Sequence, residues 1–232
     1  MKQKVLLFLF SNFLCVLVLA GEKSPYDFSW LDKDKEIYVL QNRKYTKDHK
    51  FYASLMLGAT TSGAFISSYA MQARTGYFFH EEWGVEILFS KNSGSENAIA
   101  KSVRTDTAAI PFYRKMDHYF AGMLVWSPFY GKVNTFKKIV YFDWTLGAGL
   151  ASISDLNNRQ SVLANSDQDL ESESHIGFIL DTGLRFYINP KWSIRTDVTM
   201  TLYSAEKANI NGTSGKRMFT NTDLLLGASY SF

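Results

Sequence analysis

The chain has 232 residues, of which 46% are hydrophobic and 16% aromatic, and its mean hydropathy is −0.13. Its formal net charge of +3 falls to +1 without Lys2 and Lys4, because 23 basic residues then stand against 22 acidic ones. The length suits one domain, and the balanced charge excludes the basic footprint of a nucleic-acid-binding protein.

The first twenty residues have the layout of a secretory signal. A short basic stretch, Met1–Lys4, precedes the apolar run Val5–Leu19, and Ala20 offers a small residue at the cleavage position. This predicts a signal peptide over residues 1–20, with an uncleaved N-terminal anchor as the alternative. Cys15, the only cysteine, lies within it. The mature chain would therefore have no disulfide, thiol nucleophile or cysteine-ligated metal.

Residues 21–50 show no alternation and are predicted to be a lead-in before the first strand. From residue 51 onwards, short segments alternate between apolar and polar or small residues, which is the period of a β-strand. The first four strands are predicted at residues 51–59, 69–79, 83–90 and 119–127. Residues 60–68 and 91–116 would be long loops, the second with a helical turn near 98–103. His80–Glu82 and Pro128–Lys132 would start short turns.

The second half alternates more clearly. Between Val140 and Leu150 the even positions are apolar, whereas the odd positions are mostly polar or glycine. The same pattern recurs at residues 176–188, 192–202 and 224–232. The tight turn Asn189–Lys191 lies between two longer polar connections, predicted at residues 152–174 and 205–219.

Short turns at one end and long loops at the other are typical of an outer-membrane barrel. No apolar run after residue 20 has the length of a membrane helix. The sequence therefore predicts an all-β fold, an eight-stranded antiparallel transmembrane up-and-down β-barrel over residues 51–232, with residues 21–50 as a short N-terminal periplasmic segment. The predicted location is the outer membrane of a Gram-negative bacterium.

The last strand ends at the last residue, with Gly227, Tyr230 and Phe232 in the spacing G-x-x-Y-x-F. This ending resembles the C-terminal signal of bacterial outer-membrane proteins, which implies recognition by the barrel-assembly machinery. Three tryptophans, Trp83, Trp126 and Trp192, fall near predicted short turns. They are predicted to form an aromatic girdle at the periplasmic interface, where amphipathic rings are favoured.

Three segments carry a family resemblance: Tyr38–Arg43, Gly76–Glu86, and Pro128–Lys132 continuing to Phe142 and Asp143. They resemble the outer-membrane β-barrel domain family of the myxobacterial and Bdellovibrio type. The resemblance implies the same architecture and location, and that family has no defined activity to carry over.

An eight-stranded barrel is only wide enough to be filled by its own side chains. Charges of both signs alternate into the predicted lumen, and an unpaired buried charge is very costly. We expect these residues to form a lumen charge network that plugs the barrel, with an ion or proton path as the alternative. The network comprises Arg74, Glu86, Asp143, Asp181, Arg185, Arg195 and Asp197, with Asp223 also facing inward.

Catalysis and metal binding are weaker alternatives. His49 and His80 fall at the periplasmic end, while His118 and His175 fall near the outer end. His175 lies beside Ser172, Ser174, Glu171 and Glu173, but a nucleophile, a base and an acid must converge in space. The acidic run Asp167, Asp169, Glu171 and Glu173 could hold a divalent cation, although it lacks a calcium-loop spacing, and a charged surface loop is preferred.

The sequence thus predicts a non-catalytic barrel with a structural or surface-interaction role and without cofactor, metal or catalytic site. A small channel or oligomeric pore and a lipid A-modifying enzyme are the alternatives. Its predicted partners are outer-membrane lipid, lipopolysaccharide and the assembly machinery during insertion. Nucleic acid is not expected, and an oligomer remains open.

Overall fold

The computed structural model describes residues 43–107, 109–135, 138–164, 166, 169–207 and 215–232. The predicted signal peptide (1–20) and the first part of the lead-in (21–42) lie outside these residues. So does Asp167 of the acidic run.

Eight antiparallel strands form a closed barrel in which each strand pairs with its neighbours in the chain and β8 pairs with β1. The predicted all-β, eight-stranded up-and-down barrel is confirmed. The strands are β1 (Lys50–Thr61), β2 (Ile66–Phe78), β3 (Trp83–Glu96), β4 (Arg114–Thr135), β5 (Lys138–Asn157), β6 (Glu171–Tyr187), β7 (Trp192–Glu206) and β8 (Lys216–Ser231).

The alternation in the sequence places polar residues inside the barrel and apolar residues on its outer face. Polar residues such as Gln72 and Asp143 are fully buried in the lumen, whereas Tyr69 and Ile176 are 76% and 81% exposed on the outer face. Lipid offers no hydrogen-bond partners, so the backbone groups must be satisfied strand to strand and the outer face must be apolar. The period of two therefore decides which residues face lipid and which fill the lumen.

The two ends of the barrel differ in their connections. We call the end with residues 79–82, 136–137 and 188–191 the turn end, and the end with residues 62–65, 97–113, 158–170 and 207–215 the loop end. Helix α1 (Ala98–Thr107) and helix α2 (Arg159–Ala164) both lie in loop-end connections. None of the helices within the described ranges combines the length and the apolar character that crossing a membrane requires.

The predicted loops at the loop end were too long. The connections predicted at 60–68, 91–116, 152–174 and 205–219 shrink to 62–65, 97–113, 158–170 and 207–215, and the predicted helical turn near 98–103 is the longer α1. Residues 91–96 are polar on both faces, so they give no alternating signal. They nevertheless pair with β2 as far as Ile66 opposite Glu96, because main-chain hydrogen bonds do not need an apolar face.

The prediction that Pro128–Lys132 starts an inner turn was also wrong. These residues belong to β4, which pairs with β5 as far as Thr135 opposite Lys138. A register shift between Trp126 and Phe129 marks a bulge at Pro128, a position where the missing N–H is tolerated. The β4–β5 hairpin therefore extends beyond the last pair of β3 and β4, Trp83 opposite Trp126.

The seam that closes the barrel depends on a glycine. Met56 of β1 lies opposite Gly227 of β8. A Cβ atom at Gly227 would lie 2.1 Å from the Leu55 carbonyl oxygen and 2.7 Å from the Met56 Cα. Both contacts are with backbone, which cannot turn away as a side chain can. The close approach of β1 and β8 at this point therefore requires glycine.

We predict that Gly227→Leu destabilises the barrel by about 1–3 kcal/mol, the usual cost of overpacking. Ala228→Leu is the matched control, because Ala228 is the exposed neighbour on the same strand. Urea unfolding in lipid vesicles, followed by tryptophan fluorescence, measures the difference. Equal unfolding midpoints for the two variants would contradict the glycine requirement.

Candidate functional site in the barrel lumen

Five of the predicted lumen charges meet in one group, which we call the central cluster: Arg74, Glu86, Asp181, Arg195 and Asp197. Arg74 contacts Asp197 at 2.8 Å and both Glu86 and Asp181 at 3.1 Å. Arg195 contacts Glu86 and Asp197, each at 2.7 Å. All five residues are 7% exposed or less. The alternation of β2, β3, β6 and β7 thus brings together residues that are up to 123 positions apart, from 74 to 197.

The central cluster has three carboxylates and two guanidinium groups, and Arg185 supplies the third positive charge nearby. The Arg185 guanidinium lies over the Tyr52 ring, 4.3 Å from its centroid. The Tyr52 hydroxyl donates to Glu86, and Thr199 donates to Asp181 at 2.6 Å while accepting from Arg74 at 2.7 Å. Buried charges are tolerable only when paired and hydrogen-bonded in this way.

Asp223 lies in a second group, the upper cluster, on the loop-end side of the first. The Asp223 carboxylate accepts three hydrogen bonds, from the Tyr119 hydroxyl at 2.6 Å, from the Asn221 amide at 2.8 Å and from the Gln72 amide at 3.1 Å. The Gln72 amide oxygen also accepts from Arg74 at 3.0 Å, which joins the two clusters. Sequence reasoning missed Gln72, Tyr119 and Asn221 as members, although the period of two already placed Gln72 and Asn221 on inward faces.

Asp143 lies apart from the central cluster, at the turn end. Its partner is Lys47, from the segment before β1, at 2.7 Å. The Tyr187 hydroxyl also donates to Asp143, and Lys47 donates to the Ser127 hydroxyl at 2.6 Å. Lys47 is only 4% exposed. Nothing in the sequence pattern singled out Lys47, because it precedes the alternating segments.

Lys47 belongs to what we call the N-terminal strap, residues 43–48, which crosses the turn end of the lumen. The Tyr45 ring stacks on Tyr187 at 4.9 Å and meets Tyr141 edge-on at 5.4 Å. The backbone N–H groups of residues 44 and 45 donate to the Tyr130 hydroxyl, and those of 47 and 48 donate to Glu81. The strap is therefore fixed to the extended β4–β5 hairpin and to the first turn.

A further ionic group lies inside the loop end. The ligand atoms of Asp155, Glu173 and His175 are within 4.8 Å of one another, as a metal site would need. The Arg114 guanidinium, however, contacts these three at 2.5, 2.8 and 3.3 Å. A cationic side chain therefore already pairs with both carboxylates. Glu171 is likewise paired, with Arg159 at 3.3 Å.

The residues of the alternative catalytic site do not converge. His175 and Glu173 are on the inward face of β6, whereas Ser172 and Ser174 are exposed on its opposite face. His118 points outward and pairs with Asp117 at 2.8 Å. A strand that places a histidine and its adjacent serines on opposite faces cannot supply both to one reaction centre.

The predicted girdle residues lie at the turn end of the outer face. Trp83 and Trp126 stack with ring centroids 5.8 Å apart. Trp192 contacts Tyr230, which in turn contacts Phe232, each at 5.0 Å. The Phe129–Trp144 stack at 5.5 Å adds to this band, and the sequence prediction omitted it because Trp144 lies within a strand rather than beside a predicted turn.

The backbone of Phe232 is hydrogen-bonded to β1 at the closing seam. The Phe232 N–H donates to the Phe51 carbonyl at 2.9 Å, and the side chain is 72% exposed. The role of Gly227, Tyr230 and Phe232 in assembly stays a prediction.

Residues 39–232 match the family model described as outer membrane protein beta-barrel domain. Neisserial surface protein A is similar at 11% identity, over 79% of this chain and 96% of that one, with a TM-score of 0.48. The N-terminal barrel domain of Pseudomonas aeruginosa OprF is similar at 11% identity, over 80% of this chain and 98% of that one, with a TM-score of 0.47. E. coli outer membrane protein W is similar at 17% identity, over 80% of this chain and 99% of that one, with a TM-score of 0.41. No curated protein matches the chain.

We predict that Arg74→Met costs about 3–5 kcal/mol of unfolding free energy, because it leaves buried carboxylates without their shared partner. Lys91→Met is the matched control. It removes a largely exposed pair with Asp117, at 2.7 Å, and should cost less than about 1 kcal/mol. Urea unfolding in vesicles measures both, and a cost for Arg74→Met no larger than that of the control would contradict the assignment.

The N-terminal strap gives a prediction for pH. Burial lowers the pKa of Lys47 to about 8 from its ordinary 10.5, although the Asp143 carboxylate acts in the opposite direction. Between these values the unfolded chain binds more protons than the folded one, so stability rises with pH. From pH 8 to 10.5, the wild type should gain up to about 3 kcal/mol relative to Lys47→Met.

Urea unfolding across this pH range tests the difference. Lys138→Met, an exposed lysine on β5, should follow the wild-type profile. Parallel profiles for wild type and Lys47→Met would show that Lys47 keeps its proton in the folded state.

Proposed function

Because the chain belongs to the outer membrane protein β-barrel domain family, we propose that it is a non-catalytic barrel with a closed lumen that acts through its loop end. The chain lies in the outer membrane of a Gram-negative bacterium. Its proposed role is structural or surface interaction, with the loop-end hairpins and helices as contact elements.

The observation that carries the closed lumen is the stack of paired side chains along the barrel axis. The N-terminal strap with Lys47 and Asp143 lies at the turn end, the central cluster lies above it, and the upper cluster lies above that. Among the described residues, each layer joins side chains from several strands through contacts of 3.2 Å or less. An ion that crossed the lumen would have to separate these pairs, and breaking one buried pair costs several kcal/mol.

The proposed orientation puts the turn end in the periplasm. The aromatic band at that end suits the membrane interface, and the even number of strands returns the C-terminus to the side of the N-terminal strap. A signal peptide over residues 1–20 and recognition of Gly227, Tyr230 and Phe232 by the assembly machinery belong to the same proposal. Lipopolysaccharide would then surround the loop end.

The separation of His175 from Ser172 and Ser174 on opposite faces of β6 supports a non-catalytic role over lipid A modification. Arg114 at the centre of the Asp155, Glu173 and His175 group supports an ionic contact over a metal site there. The finer resemblance to barrels of the myxobacterial and Bdellovibrio type rests on its three sequence segments and remains part of the proposal.

Planar-bilayer recording of the purified, folded protein tests the closed lumen. We expect no stable single-channel steps, in a preparation whose insertion is verified by a gel shift between heated and unheated samples. A known porin reconstituted by the same protocol provides the positive control. Reproducible steps from the folded protein would overturn the proposal and favour the small channel, while steps seen only with a heat-stable oligomer band would favour an oligomeric pore.

A further inference from the structure

At the loop end of the closing seam, β8 extends further along the barrel than β1 does. On one side, β8 pairs with β7 as far as Lys216 opposite Glu206, whereas on the other it pairs with β1 only as far as Thr222 opposite Thr61. The connection after β1, residues 62–65, is short. Residues 216–221 of β8 therefore lie beyond the backbone pairing with β1, and only the Asn221 side chain among them bonds to β1, through Thr60 at 2.9 Å. At about 3.3 Å per residue this leaves roughly 20 Å of free strand edge.

A cavity of about 760 Å³ lies at this edge, and we call it the seam notch. It lies between the residues 62–65 connection, the chain before β4 and the outer part of β8. Its apolar lining includes Phe65, Phe112, Met218 and Phe219. The Phe219 ring is held from behind by Tyr203 and by the Arg114 guanidinium, 5.3 Å from its centroid. Small-molecule sites have volumes of about 300–1,000 Å³, so the seam notch has room for one such ligand.

Two cations, Lys207 and Arg217, also line the seam notch. Both are exposed, and within the described part of the chain neither has a carboxylate partner at ion-pair distance. The nearby Arg114 and Arg159, in contrast, are both paired with acids. Free cations beside an apolar cavity favour a ligand with an anionic head and an apolar body.

The seam notch ends at the upper cluster. Asn221 and Asp223 lie directly below its β8 residues, and their contacts with Tyr119 and Gln72 close the lumen there. Its lower edge adjoins the outer apolar face, where Leu224 and Leu57 are 60% and 63% exposed. A ligand could therefore reach the notch sideways from the membrane boundary but could not continue down the barrel.

We propose that the seam notch binds a single-chain anionic amphiphile, with the chain against Phe65, Phe112 and Phe219 and a carboxylate head near Lys207 and Arg217. The volume of the seam notch is enough for one acyl chain with its head group. This site is independent of whether the lumen conducts, so its failure and the failure of the closed lumen are separate results.

Photocrosslinking of the full chain in zwitterionic nanodiscs tests the proposal. The probe is dodecanoate with a diazirine in its chain, and mass spectrometry compares labelling of residues 216–220 and 62–65 with labelling of the lipid face around Leu224. We expect the seam notch to be labelled above the lipid face, and excess unlabelled dodecanoate to remove that label. A folded protein without label in these two segments would overturn the proposal.

Charge variants and a neutral probe test the head group. Lys207→Gln/Arg217→Gln should lower the notch labelling at least fivefold, a loss on the order of one charge-assisted contact. Lys132→Gln/Lys138→Gln, two exposed lysines at the turn end, should leave it unchanged. Equal labelling by a diazirine dodecanol would overturn the assignment of an anionic ligand. Displacement by lipopolysaccharide but not by dodecanoate would overturn the single-chain assignment in favour of a phosphorylated headgroup.

Discussion

The pairing of β8 with β1 is the interaction on which the rest of this molecule depends. In a bilayer, an unpaired strand edge exposes N–H and C=O groups that lipid cannot satisfy, so the sheet must close. Eight strands close into a cylinder whose interior is filled by side chains. Because the outer face must be apolar, the polar half of each strand is forced into that interior. Closure therefore creates the need for paired charges in the lumen.

In the central cluster, arginine side chains pair with the buried carboxylates. A guanidinium group can contact several carboxylates at once in a fixed plane, and Arg74 does so with Glu86, Asp181 and Asp197. Contacts of this kind tie distant strands together across the lumen. Under the proposed function these contacts close the lumen, and the loop end is the surface for interaction.

The two ends have different characters for a physical reason. At the turn end, three separate chain segments pack together: the N-terminal strap, the turn that contains Glu81, and the extended β4–β5 hairpin with Asp143. At the loop end, β7 and β8 continue past the point where β1 ends. This difference in strand length leaves the seam notch, lined by Lys207 and Arg217, at the loop end of the seam.

The sequence by itself determined the barrel, its strand number and the direction of the side chains within the alternating segments, because a period of two in hydropathy is a local signal. It also put the five members of the central cluster on inward faces, although it did not separate them from Asp143 and Arg185. Only the tertiary structure decided that Lys47 is the partner of Asp143, that Arg114 sits among Asp155, Glu173 and His175, and that the strands extend beyond their alternating segments. Strand ends that are polar on both faces carry no alternation, and ion pairs between segments far apart in the chain depend on register and closure, which no local pattern records.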